Sequence, residues 1–212
     1  MGALPTQSIV SLDEYLTNPE YEHFEWVDGE VIDHHVETYD HSEIQIACGA
    51  LLREYLRSNP IGRVFSELHC RLRLDGRIRC RLPDVCFVSS ARLSAGPHHE
   101  GAPDLAIEIR SPQDSVHDLL QKTDEYFTNG ASLCWIILPE EKSVLVIRPD
   151  RTVRSLRGDD ALDAADLLPG FAAKASDLFT LLQERRVTTP SRDPRACAPC
   201  GREATRPHSE RR

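Results

Sequence analysis

Three side chains in the middle of the chain have the types needed to cut a phosphodiester. Asp84 heads an apolar run in "RLPDVCFV", Glu108 follows 24 residues later in "DLAIEIRSP", and Lys122 comes 14 further on in "DLLQKTDEYF". Hydrolysing such a bond needs a water deprotonated near neutral pH and neutralisation of the charge building on phosphate oxygens. Two carboxylates suit Mg²⁺, which takes one or two from a protein and completes its shell with water and substrate oxygens. A nearby lysine can orient or deprotonate the water and stabilise the charged transition state.

The elements around these residues must bring them together. Asp84 opens a strand that follows alternating runs around an Asp75-Gly76 turn, in a stretch predicted to hold two or three strands. "DLAIEI" alternates at period two, so Asp104, Glu108 and Arg110 share one face and Leu105, Ile107 and Ile109 the other. That polar face is read as the floor of a metal site, with Asp104 in support. The next segment predicts a helix from about Asp114 to Asn129, stopped by Gly130, with an apolar stripe of Val116, Leu119, Leu120, Thr123 and Phe127. Lys122 lies about 12 Å along it at ~1.5 Å per residue. Glu108 lies about 7 Å back from its strand end at ~3.3 Å per residue, within reach of a lysine laid along the sheet.

Before these come a short helix in "SLDEYLTNPEY", a hairpin around Asp28-Gly29 in "HFEWVDGEVID", and a helix capped by Asp40 with a stripe from Ile44 to Leu56. After them come a buried strand "SLCWIILP", a hairpin at Pro149-Asp150 and a last helix in "ASDLFTLLQE". This order gives an α/β fold, a central mixed sheet flanked by helices. Residues 1–186 form the domain. Residues 187–212, rich in Pro, Arg and Ser, form a tail with too little apolar surface to order itself. Its Cys197, Cys200 and His208 fall short of the four ligands of a structural zinc site.

Bulk numbers narrow the function classes. A net charge of −9 argues against a general electrostatic grip on nucleic acid or membrane, but not against a local basic groove. No run approaches the ~20 apolar residues of a membrane span. Five of the seven cysteines (Cys48, Cys70, Cys80, Cys86 and Cys134) sit in apolar periodic segments, as reduced core residues of a cytoplasmic protein would. The pairs His34-His35 and His98-His99 fall in turns and read as solvated. Plainer roles stand beside the catalytic ones: Asp84 could cap a turn after Pro83, and Glu108 could pair structurally with Arg110 or Lys122.

Taken in order, "PDV", "PDLAIEIRSP" and "DLLQKTDEYFTNGASLCWIILP" resemble the PD-(D/E)XK restriction-endonuclease-like superfamily. Within it the chain is similar to the bacterial Uma-two family, also called domain of unknown function 820, which "FEWVDGEVI" and "HSEIQIACGALLREYL" also fit. The resemblance implies a restriction-endonuclease-like core and a Mg²⁺-dependent DNA endonuclease, Mn²⁺ serving as a second ion, in a homodimer. It implies Asp84 and Glu108 as metal ligands, Lys122 as the catalytic lysine moved from strand to helix, and Glu25 as a further acidic catalytic residue. His41 matches a histidine opening the next helix and is read as supporting the ligands. One departure is Arg110, which stands two residues after the acid where the superfamily keeps its lysine. A division of labour follows, with Lys122 attending the water and Arg110 orienting phosphate or fixing Glu108. The reading from a different class is a non-catalytic nucleic-acid- or partner-binding protein on the same fold.

Overall fold

The computed structural model describes residues 9–33, 38–96, 98–164 and 166–180. The tail from 181 onward, with Cys197, Cys200 and His208, and the pair His34-His35 lie outside the described residues. The elements are α1 (Leu12–Thr17), β1 (Phe24–Val27), β2 (Glu30–Asp33), α2 (Tyr39–Ser58), β3 (Gly62–Ser66), β4 (Cys70–Leu74), β5 (Arg77–Arg81), β6 (Val85–Ser89) and β7 (His99–Glu100). They continue as β8 (Leu105–Ile109), α3 (Val116–Thr128), β9 (Leu133–Leu138), β10 (Ser143–Ile147), β11 (Val153–Arg157) and a 3₁₀ turn (Ala175–Phe179).

Two sheets result. One has the order β2-β1-β5-β4-β7 and the other β11-β10-β9-β8-β6-β3. The second is mixed, because β8 and β9 run parallel while its other pairings are antiparallel. Helix α2 lays Ile44, Cys48 and Leu52 against one face of it, over Ile107, Ile109 and Trp135. Helix α3 covers the opposite face through Leu119 and Tyr126, against Ala106, Cys134 and Ile136, and meets Cys70 and Leu72 of the first sheet. The α/β core expected from the sequence is therefore present, with a second sheet that "two or three strands" undercounted: β3 to β6 are four.

The chain changes sheets between Arg81 and Val85, and this short crossing sets the register that matters. Val85 stands opposite Ile107, so the next step of the antiparallel ladder puts Asp84 opposite Glu108. Side chains at 105, 107 and 109 face α2, while Ala106 and Glu108 face α3. At the β1–β2 turn Asp28 and Gly29 both have positive φ, 53° and 101°, the backbone that Asp-Gly accepts and that matches hairpin twist.

Two local expectations are corrected. Thr38, not Asp40, caps α2: its hydroxyl accepts from the His41 N–H at 3.1 Å, which sets His41 in the first turn. The buried face of α3 is Leu119, Thr123, Glu125 and Tyr126, whereas Val116 and Leu120 of the expected stripe are exposed. The wheel was centred one position off because buried Glu125 looks polar in sequence. The final helix expected in "ASDLFTLLQE" begins as a 3₁₀ turn over Ala175–Phe179, and its residues from 181 lie outside the described ones.

All five cysteines from 48 to 134 are buried and free of disulfides, and burial pushes the Cys80 thiol up to about 11. Among the described residues no helix is long and apolar enough to cross a membrane.

His99 is buried rather than solvated, because β7 pairs with β4 and its ring nitrogen Nε2 donates to the Ala102 carbonyl at 3.2 Å. Burial holds its pKa, and that of His98, below the ordinary histidine value. Below about pH 6.5 the unfolded chain therefore binds protons that the native state refuses, so stability falls as pH drops. Thermal melts from about pH 7.5 to about pH 5 should show this decline. His99→Gln, which keeps a donor to Ala102, should flatten it; an unchanged slope would place the sensitivity elsewhere.

Candidate active site

The crossing between sheets, the end of β8 and the middle of α3 enclose a cavity of about 300 Å³. Glu25, His41, Arg81, Asp84, Glu108 and Lys122 line it, with Asp33, Asp114 and Asp118 toward its rim. Four of the six residues singled out in sequence converge with His41 here; Arg110 does not.

Each carboxylate is held by backbone or by a side chain from another element. Asp84 Oδ2 accepts from the Ile109 N–H at 2.6 Å, across the β6–β8 register, and Oδ1 lies 3.3 Å from His41 Nε2. Glu108 Oε1 accepts from the Tyr126 hydroxyl at 2.6 Å, and Oε2 lies 3.4 Å from Lys122 Nζ. Lys122 also reaches Glu25 Oε1 at 3.0 Å, so the ammonium bridges two carboxylates from different sheets.

Glu25 is in turn clamped. Arg81 Nη1 donates to its Oε2 at 2.6 Å, and the Leu82 N–H to its Oε1 at 3.3 Å. The rest of the Arg81 fork goes to Glu125, from Nε at 2.8 Å and from Nη2 at 3.0 Å. Glu125 also takes Arg79, which pairs with Asp28. A buried chain of alternating charge thus runs from the β1–β2 turn to Glu108.

Burial alone would depress the Lys122 ammonium, but Glu108 and then Glu25 outweigh it and hold its pKa above the ordinary lysine value. In this state Lys122 is a fixed cation and hydrogen-bond donor. Tyr126 is likewise kept a hydroxyl, first by burial and then by Glu108.

Two expected members lie elsewhere. Arg110 Nη1 sits 3.4 Å from Glu141, outside the cavity lining, so it does not fix Glu108; Tyr126 and Lys122 do. Asp104 is at the far end of β8, accepting from the Ser89 N–H at 2.7 Å with Arg92 at 3.2 Å. The polar face from 104 to 110 is therefore not one floor, and only Glu108 reaches the cavity.

Sequence reasoning passed over Arg79, Arg81, Glu125 and Tyr126. A signal was present: Arg77, Arg79 and Arg81 alternate on one face of β5, and arginines entering a core require acids. Lys122, Glu125 and Tyr126 supply the match at i, i+3 and i+4 of α3.

The donor set fits a hard divalent cation. Asp84 and Glu108 offer carboxylate oxygens, each of which can accept a second partner. No group of three or more His, Cys, Asp or Glu forms a ready cage among the described residues. A Mg²⁺-like ion that keeps waters and takes substrate oxygens needs only such a pair.

Comparison with known proteins bears on the fold and the family. A solved structure entitled "Crystal structure of a putative nuclease belonging to DUF820 from Anabaena variabilis ATCC 29413" superposes with a TM-score of 0.72 at 26% identity, covering 82% of this chain and 99% of that one. No curated protein matches the chain. The sequence profile of the Uma2 family, described as "Putative restriction endonuclease", matches residues 12–178. With its mixed sheet and a matched span covering most of its length, the chain belongs to the Uma2 family of restriction-endonuclease-like proteins.

Proposed function

We propose that the protein is a Mg²⁺-dependent DNA endonuclease hydrolysing phosphodiester bonds, with Mn²⁺ as the alternative ion of the same hard-oxygen class. The observation that carries this reading is the meeting of Asp84, Glu108 and Lys122 in one cavity from three separate elements. Asp84 and Glu108 would hold the cation, kept in place by the Ile109 N–H and the Tyr126 hydroxyl. When bound, such an ion supplies the positive charge that lowers the pKa of water and neutralises phosphate oxygens.

Lys122 contributes a fixed ammonium on the helix side of the cavity, placed to donate to a phosphate oxygen or to orient the water. Glu25 acts by holding Lys122, and His41 by holding Asp84. Arg110, at the edge with Glu141, is a contact for substrate phosphate rather than for the reacting atoms.

Purified protein with supercoiled, linear and single-stranded DNA in Mg²⁺, Mn²⁺ or EDTA tests the reading. Nicking or cleavage that EDTA abolishes is expected. Absence of both cutting and divalent-cation binding by calorimetry would favour the non-catalytic, partner-binding reading. Among variants, Lys122→Ala should lose most turnover, about 10²–10³-fold, with DNA affinity retained, and Lys122→Arg should not restore it. Arg110→Ala should weaken DNA binding by about tenfold or less with kcat near that of the parent. A dead Arg110→Ala beside a fully active Lys122→Ala would reverse these roles.

A further inference from the structure

We infer that the protein self-associates through β3, pairing edge to edge with β3 of a second copy about a two-fold axis at Val64. Strand β3 closes one side of the six-stranded sheet, and among the described residues it pairs only with β6. Its hydrogen-bond phase is fixed by the Ser90 N–H donating to the Ile61 carbonyl at 2.8 Å. Alternation then turns residues 63 and 65 toward β6, and turns the N–H and C=O groups of Gly62, Val64 and Ser66 outward. A row of unpaired outward groups is a template for another strand. Those three residues are the set that an antiparallel self-pairing uses, with Val64 bonded to its own copy and Gly62 to the copy's Ser66.

The surface beside this edge matches itself under the same rotation. Helix α2 runs antiparallel to β3 and places Ile46, 73% exposed, and Ala50 along a groove with Val64 and Phe65. An isoleucine so exposed gains from being covered. Basic Arg53, Arg57 and Arg63 stand at one end, offset only by Glu54, which pairs with Arg57. Glu67 lies at the other end, held by Gln45 at 3.4 Å through one oxygen and beside His23 at 3.3 Å through the other, with Glu43 one helical turn before Ile46. A two-fold axis through the middle sets the basic end of each copy against the acidic end of the other, leaving the apolar centre on itself.

The opposite edge of the sheet lacks these features. Strand β11 carries Arg154 and Arg157, Arg154 is already paired with Asp163, and charged residues of this kind guard an edge. This inference does not rest on the nuclease reading and is tested without it.

Sedimentation of the full chain over a micromolar series should show a monomer–dimer equilibrium. Ile46→Asp and Arg63→Glu, both at exposed positions, should each weaken it by about tenfold or more without shifting the melting temperature of the monomer. Amide hydrogen exchange locates the contact. The Val64 N–H should be protected in the wild-type dimer and exchange rapidly in Ile46→Asp, while the Phe65 N–H, bonded to β6, stays protected in both. A wild-type monomer would overturn the inference, whether its Val64 amide is open or covered by another part of its own chain. So would a dimer that survives Ile46→Asp with the Val64 amide exposed.

Discussion

Asp84→Asn and Glu108→Gln are each expected to reduce metal-dependent cleavage by about 10³-fold or more, the scale of losing one positioned charged group from a reacting centre. The fold should survive both changes. An amide oxygen at 84 still accepts from the Ile109 N–H, and one at 108 still accepts from the Tyr126 hydroxyl. Glu108→Gln gives up one ion pair, but Lys122 keeps Glu25 at 3.0 Å, so the stability change should stay within about 1–2 kcal/mol. Divalent-cation affinity by calorimetry should fall in parallel with activity. If either variant cuts DNA at the parent rate while melting normally, that carboxylate is not part of the reacting centre.

Arg81→Ala should produce the largest loss of stability of any single change in the site, about 3–5 kcal/mol. Arg81 is 6% exposed, and its guanidinium holds two carboxylates on residues that are themselves buried, Glu25 at 2% and Glu125 at 4%. Removing the cation leaves both in a low-dielectric interior; Arg79 still reaches Glu125, and Lys122 still reaches Glu25. Arg81→Lys should recover only part, because an ammonium cannot make the forked contact to Glu125. The double variant Arg81→Met/Glu25→Gln should be more stable than Arg81→Ala, since it withdraws one orphaned charge together with its partner. Denaturant midpoints decide this, and an Arg81→Ala midpoint equal to the parent's would mean that water reaches the network and screens it.

The parts of this structure that were legible in sequence are those where one residue's type and its neighbours' period carry the information. Asp28-Gly29 needs a backbone that few other pairs accept, and the alternation of "LAIEI" fixes two faces whatever the tertiary context. Glu108 stood out because an acid in an apolar strand needs a partner, whereas Asp84, just before β6, stood out only through its place in the ordered set of motifs. Asp104, and Arg110 as a partner for Glu108, misled for the converse reason. Period two assigns a face, but not the end of the strand at which a side chain finds its partner, and Glu141 and Arg92 took them. The Arg81–Glu125 clamp was hidden because it joins a strand, β5, to a helix, α3, across 44 residues, a meeting that no local pattern encodes. Glu125 also disguised the buried side of α3, where an apolar wheel alone points to Val116 and Leu120.

The ladder that sets Asp84 opposite Glu108 also says how such proteins can drift apart in sequence. The number of residues between the two acids plays no part in their meeting, because the β6–β8 pairing aligns them and the chain between merely departs and returns. Additions at the exposed stretch 94–96 should therefore accumulate freely among descendants, and a search that fixes the interval at 24 would overlook true kin. A single residue gained or lost inside β8 has the opposite fate. It would turn the glutamate toward α2 and end the lineage of that site in one step.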